Sequence, residues 1–167
     1  MAEIQQSVYI QAPPSRVYDA LVKCEQLSQW WTQCQTESRE GGEARFEFDE
    51  GNYAHFKIQK LVAPKKVIWF CCGHNFNGNH DFEGTTIEFT LTPTTGGTHV
   101  NFLHRDWQKD SGVFELCRIG WDHFVTVSLK SFVERGQGQP HDQAAPLIME
   151  RAIREGKLRP PVAAAST

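Results

Sequence analysis

The sequence predicts an α+β protein in which a curved antiparallel β-sheet wraps around one long C-terminal helix, with a cavity between the two layers. Three observations predict it. Period-two runs succeed one another from about residue 33 to residue 107, separated by turns too short for crossover helices. From 112 to 135 the spacing of apolar residues changes to three and four, over about six helical turns and roughly 35 Å. A first strand and two short helices precede the meander.

Taken in order, EIQQSVYIQ at 3–11 alternates through Ile4, Val8 and Ile10 and reads as a strand. The following APPS ends it, and Ser15 is expected to cap a helix over SRVYDALV whose apolar face is Val17, Ala20 and Leu21. EQLSQWW gives a second short helix. ARFEFD sets Phe46 and Phe48 on one side of a strand, and the Gly51-Asn52 turn leads into YAHFKIQKLV. Pro64 separates that run from KKVIWFCCG. Residues 73–84, GHNFNGNHDFEG, keep neither period and predict an irregular loop that could control access at a cavity mouth. Two more strands follow, one with Ile87, Phe89 and Leu91 inward, the next with Val100, Phe102 and His104 inward.

The long helix is expected to turn Phe114, Cys117, Trp121, Phe124, Val125, Ser128 and Phe132 toward the sheet and to stop near Gly136. Residues 1–140 then make one domain, and 141–167 a C-terminal extension. The extension carries an amphipathic stretch through Leu147, Ile148, Ala152 and Ile153, free to dock on the domain or on a partner, and a poorly ordered RPPVAAAST tail.

Composition narrows the function classes. A net charge of −3 without a basic arm gives no electrostatic reason to expect nucleic-acid binding. No run approaches about 18 uninterrupted apolar residues, so no membrane span is expected. The N-terminus lacks a secretory pattern, and five cysteines, an odd number, suit free thiols in a reducing compartment. A cytoplasmic location follows, although exposed Cys24 or Cys34 would be open to oxidation.

IQAPPSRVYDALV at 10–22, LSQWW at 27–31, APKKVIW at 63–69 and GWDHFVTVSLKSFVERGQG at 120–138, in that order and spacing, resemble the START-like (SRPBCC) superfamily and, within it, the activator of Hsp90 ATPase homologue-like branch. The resemblance implies a helix-grip fold of six or seven strands, often enclosing a ligand cavity. Its members include lipid and polyketide binders, cyclase-like enzymes and chaperone-associated domains, so it constrains the site more than the reaction. The CCGHNFNGNH segment and the tail beyond Gly138 depart from the simplest family pattern; the first would customise a pocket rim, the second serve packing or dimer formation.

Candidate ligand-binding residues are Trp31, Trp69, Phe89, Phe102, His104, Phe114, Cys117 and Trp121, aromatic or soft side chains expected between sheet and helix. Burying 200 Å² of an apolar ligand there would contribute about 5 kcal/mol before binding costs, at roughly 25 cal/mol/Å². An inward His104 needs a hydrogen-bond partner, which makes it the candidate orienting group. Cys71, Cys72, His74 and His80 hold metal-ligating atoms, but neighbouring strand cysteines point to opposite faces and the spacing fits no closed zinc site. A Cys71–His104 pair, with Asp106 or Asp110 orienting the base, would be needed for covalent catalysis, without any visible oxyanion donors. No cofactor or metal is expected. The leading expectation is non-covalent binding of a small apolar molecule; the alternatives are acid–base catalysis on such a molecule and a protein-interaction role, as a homodimer or beside a chaperone partner.

Overall fold

Strand β1 (Ala2–Ile10) pairs with the last strand of the sheet, and between them the computed structural model, which describes residues 2–108 and 112–158, lays out a seven-stranded antiparallel meander. After β1 come α1 (Pro14–Val22) and α2 (Cys24–Trp30), then β2 (Gln33–Thr36), β3 (Glu43–Glu47), β4 (Tyr53–Val62), β5 (Lys66–Asn75), β6 (Thr86–Thr94) and β7 (Gly97–Trp107). The strand order is β1-β7-β6-β5-β4-β3-β2, so β7 returns to β1 and every other pairing joins chain neighbours. The fold is the expected α+β helix-grip, including the antiparallel connections.

Local chemistry differs from expectation at α1. Its N-cap is Pro13, with no side-chain cap bond, and Pro14 occupies the first turn. Ser15 therefore does not cap; a proline in the first turn forfeits only an N–H that would lack a helical partner anyway. The buried face is Val17, Ala20 and Leu21, as the spacing required.

The long helix is α3 (Gly112–His123), a π-helical segment (Phe124–Leu129) and α4 (Lys130–Arg135), with helical φ/ψ at His123, Leu129 and Lys130 making it one rod. A π turn holds more residues than an α turn, so the buried face slips beyond it. Phe132, expected inward, is half-buried, and Val133 takes the core position. Gly136 ends the rod in the left-handed region at φ 78°, where glycine carries no Cβ penalty.

Helix α5 (His141–Arg154) comes from the C-terminal extension and lies against α3, burying Ala144, Ile148 and Ala152 at successive i, i+4 positions. Leu147, expected on the apolar face, is exposed, because the docked stripe runs one residue away from it. Arg151 pairs with Asp122 at 2.6 Å across the contact. The backbone N–H of His141 donates to the carbonyl of Trp31 at 2.6 Å, fixing where α5 begins. The RPPVAAAST tail lies outside the described residues, and no described helix is long and apolar enough to cross a membrane.

Cys24 in α2 and Cys34 in β2, the two thiols expected to be open to oxidation, face each other with Cα atoms 5.7 Å apart. The helix–strand hairpin carrying Trp31 brings them together.

Candidate functional site

A cavity of about 320 Å³ opens between the β3–β5 end of the sheet and the helices. Its sheet side is built from Phe48, Asn52, Ala54 and His74, continued by Phe76 and Phe82 from the β5–β6 connection. Its helix side is Leu116, Cys117, Gly120, Trp121 and Phe124, and α5 closes it with His141, Ala145, Ile148 and Met149. Trp31 stands at the junction, its ring 4.8 Å from that of Trp121 and 4.2 Å from that of Phe46.

Of the eight expected site residues, Trp31, Cys117 and Trp121 line this cavity. Trp69, Phe89, Phe102, His104 and Phe114 do not; they form the packed layer behind it. Trp69 stacks on Trp31 at 6.2 Å, Phe102 meets Trp121 at 4.6 Å and Phe89 at 5.1 Å, and Phe114 packs edge-on against Trp107 at 5.3 Å. The physical reason is volume: the two indoles of Trp31 and Trp121 fill the gap over β5–β7, so inward side chains of those strands meet rings instead of open space.

His104 does find the partners its burial demands, and they belong to the protein. Trp121 Nε1–H donates to its Nδ1 at 3.1 Å, which fixes the proton on Nε2; Nε2–H then donates to Thr85 Oγ1 at 2.7 Å, and that hydroxyl donates to the carbonyl of Phe82 at 2.6 Å. The chain ties α3, β7 and the β5–β6 connection through one neutral imidazole. Burial, with a smaller push from His74, holds its pKa well below the ordinary value. With both ring nitrogens engaged, His104 is not free to act as a base toward Cys71, whose own thiol is pushed up to about 12, mainly by burial. Asp106 pairs with Arg105 at 2.8 Å, and Asp110 lies outside the described residues.

Among the polar residues lining the cavity is His74, which the expected irregular loop concealed. Strand β5 continues to Asn75, and its pairing with β4 steps from Phe56↔Cys71 to His55↔Gly73, leaving Cys72 as the extra residue of a β-bulge. Inward positions run Val67, Trp69, Cys71, then reset to His74, because one inserted residue reverses the alternation. His74 is 5% exposed, stacks on Phe82 at 4.7 Å, and its buried Nδ1 has no hydrogen-bond partner. Desolvation lowers its pKa to about 4; His80 adds to the shift and Asp81 opposes it. Cys72 points outward, and among the described residues no group of three His, Cys, Asp or Glu side chains is placed to hold a metal ion. Cys117 faces the cavity with its thiol pushed up to about 12 by desolvation.

A cavity gripped between an antiparallel sheet and a long C-terminal helix meets its sequence counterpart over residues 11–134, which match the family of activator of Hsp90 ATPase homolog 1-like proteins. The chain belongs to that family. The Aha1 dimer from Colwellia psychrerythraea, solved in solution, is 31% identical, covers 83% of this chain and 100% of its own, and superposes with a TM-score of 0.70. Protein MLL2253 from Mesorhizobium loti (19% identity, 74% and 91% coverage, TM-score 0.66) and CalU16 from Micromonospora echinospora (21%, 91% and 83%, 0.61) share the fold. No curated protein matches the chain. The family match ends before α5, so His141, Ala145, Ile148 and Met149 close the cavity from outside the matched residues.

Proposed function

We propose that this member of the family binds a small, predominantly apolar molecule non-covalently in the cavity between sheet, long helix and α5. The observation that carries the reading is the cavity itself, about 320 Å³ walled by Trp31, Trp121, Phe82, Phe124 and Ile148, a size and lining suited to holding a ligand by desolvation. Thiols held protonated at Cys71 and Cys117 favour binding over nucleophilic catalysis. The test compares native and denaturing mass spectra of protein isolated gently from its producing cell. A discrete mass lost on denaturation is expected, and it should be absent from Gly120→Leu. A Cβ at Gly120 meets only the Phe124 ring, at 3.8 Å, so the larger side chain extends into the cavity. A retained mass that persists unchanged in Gly120→Leu would refute the location.

Homodimer formation is a second proposal, supported by the 31% identical relative solved as a dimer and by exposed Val127, Leu147 and Met149 on the helices. The native oligomer mass in the same spectra tests it.

A further inference from the structure

Two of the five cysteines are placed to react with one another. Cys24 opens α2 and Cys34 lies in β2, and their Cα atoms are 5.7 Å apart. A disulfide most often spans about 5.5–6 Å between Cα atoms, so this pair can close without moving the backbone. The side chains also point across the seam. The Cys24 thiol donates to the carbonyl of Cys34, and Cys34 Sγ lies 3.7 Å from the carbonyl oxygen of Cys24. Both residues are half-buried, within reach of a small oxidant at the surface. The other three thiols are not so arranged. Cys71 is buried and Cys72 exposed on β5, and Cys117 lines the cavity from α3. Burial pushes the thiols of Cys71 and Cys117 up to about 12, which leaves little of the thiolate that exchange requires.

The corner between Cys24 and Cys34 is where several elements are fastened. Trp30 Nε1–H donates to the carbonyl of Ala20 at 2.7 Å, and the Thr32 hydroxyl donates to that of Glu47 at 2.6 Å. From the other side, the Ser128 hydroxyl of the long helix donates to the Trp30 carbonyl at 2.7 Å, and the His141 N–H of α5 donates to the Trp31 carbonyl at 2.6 Å. Strand β2, which leads out of the corner, is the last strand of the sheet and is held there by four residue pairs with β3. A covalent tie from α2 to this edge strand closes a loop around the corner and limits the fraying to which a short edge is prone.

We propose that Cys24 and Cys34 form a reversible disulfide, a redox-sensitive clasp that fastens edge strand β2 to α2 and holds the Trp30–Trp31 corner in place. The oxidant is a small-molecule disulfide of the glutathione class. One cysteine thiolate attacks a sulfur of the oxidant, forming a mixed disulfide and expelling one glutathione thiolate. The second cysteine thiolate then attacks the protein sulfur of that mixed disulfide and expels the other. The cysteine pair loses two electrons, the oxidant gains them, and the two thiol protons leave on two molecules of glutathione. The clasp is independent of what the cavity holds.

The test equilibrates the reduced full chain with mixtures of glutathione and its disulfide, quenches with acid, and measures intact mass and alkylation sites after denaturation. A loss of about 2 Da should appear, with Cys24 and Cys34 closed to alkylation and Cys71, Cys72 and Cys117 open to it. The oxidised chain should melt roughly 5–10 °C higher than the reduced one, and dithiothreitol should reverse the gain. The amides of Trp31 and His141, which join the corner to α2 and α5, should exchange hydrogen about tenfold more slowly once it is oxidised. In Cys24→Ser the 2 Da loss should disappear, leaving at most a glutathione adduct; the alkylation map of the wild-type chain carries the same information without a variant. Arrest of the wild-type chain at the mixed disulfide, or a bond mapped to any other cysteine, would overturn the pairing. Equal melting temperatures and equal amide exchange in the two forms would overturn the clasp.

Discussion

Lowering the pH from ~7 to ~5 should destabilise this protein by about 2 kcal/mol through the buried His74, with a further loss in the same direction from His104. His74 and His104 are neutral in the folded chain, the first with its pKa lowered to about 4 and the second held well below its ordinary value, each chiefly by desolvation. Unfolded, both would titrate near 6.5. Below that value the unfolded chain binds protons that the folded chain refuses, so stability falls as pH falls, at about 1.4 kcal/mol per pH unit per histidine. The loss begins near pH 6.5, and for His74 it levels off near pH 4, where the folded form protonates too. Integrated from ~7 to ~5, His74 contributes about 2 kcal/mol and His104 adds to it, a large share of the 5–15 kcal/mol that is typical of a domain. The window lies above the ordinary carboxylate range, which keeps Asp and Glu largely out of it. Urea unfolding at successive pH values measures the slope, and His74→Leu should remove about 2 kcal/mol of the fall between ~7 and ~5. An unchanged slope between pH ~5 and ~6.5 in His74→Leu would show that His74 is not held neutral, and the account of its buried ring would fail.

Gly120→Ala should raise stability by about 1 kcal/mol, or roughly 2–4 °C in Tm, since alanine is the better helix former and its Cβ meets only the Phe124 ring, at 3.8 Å; differential scanning calorimetry checks it. Ser128→Ala should cost about 1–3 kcal/mol, because the buried hydroxyl donates to the carbonyl of Trp30 at 2.7 Å and accepts from the Gln139 N–H at 2.8 Å, and both groups would lose that partner. Trp121→Phe should cost a similar amount by leaving His104 Nδ1 without its donor, and chemical denaturation reads it directly. Truncation after Gln139 should leave far-UV circular dichroism of the sheet intact yet abolish naphthalene binding, since α5 supplies a full wall of the cavity; retained affinity would assign the wall a packing role only.

What the sequence disclosed is tied to regular period. Ile87, Phe89 and Leu91, and Val100, Phe102 and His104, face inward as their alternation requires, and Gly136 stops the long helix where the pattern ends. What it hid lies at two irregularities. The bulge at Cys72 reverses the alternation of β5 and turns His74 inward, and the π segment at Phe124–Leu129 moves the buried face from Phe132 to Val133. A single inserted residue carries no compositional mark when its neighbours are glycine, cysteine and histidine. Depth was hidden too: periodicity tells which side of a strand faces the core, and it cannot tell whether that side meets a ring or a void. Trp69 and Phe102 therefore sit behind Trp31 and Trp121.

Both irregularities open onto the same space. His74 follows the bulge, Phe124 begins the π segment, and both line the cavity. A regular β5 would present Gly73 inward and turn His74 to solvent. Bulges and π turns cost regular hydrogen bonding and recur where a fold redirects a side chain for use. Helix α5 bears on the same point from outside the family match: its buried Ala144, Ile148 and Ala152 stripe fastens it to α3, and His141, Ala145 and Met149, with the inner side of Ile148, are left to face the cavity. The matched core thus supplies the grip, while departures from regular structure and the extension shape what is gripped. Ligand preference in this chain should accordingly follow substitutions at His74 and along α5 more than substitutions at the aromatic layer of β5–β7, which holds the sheet to the helix whatever the cavity contains.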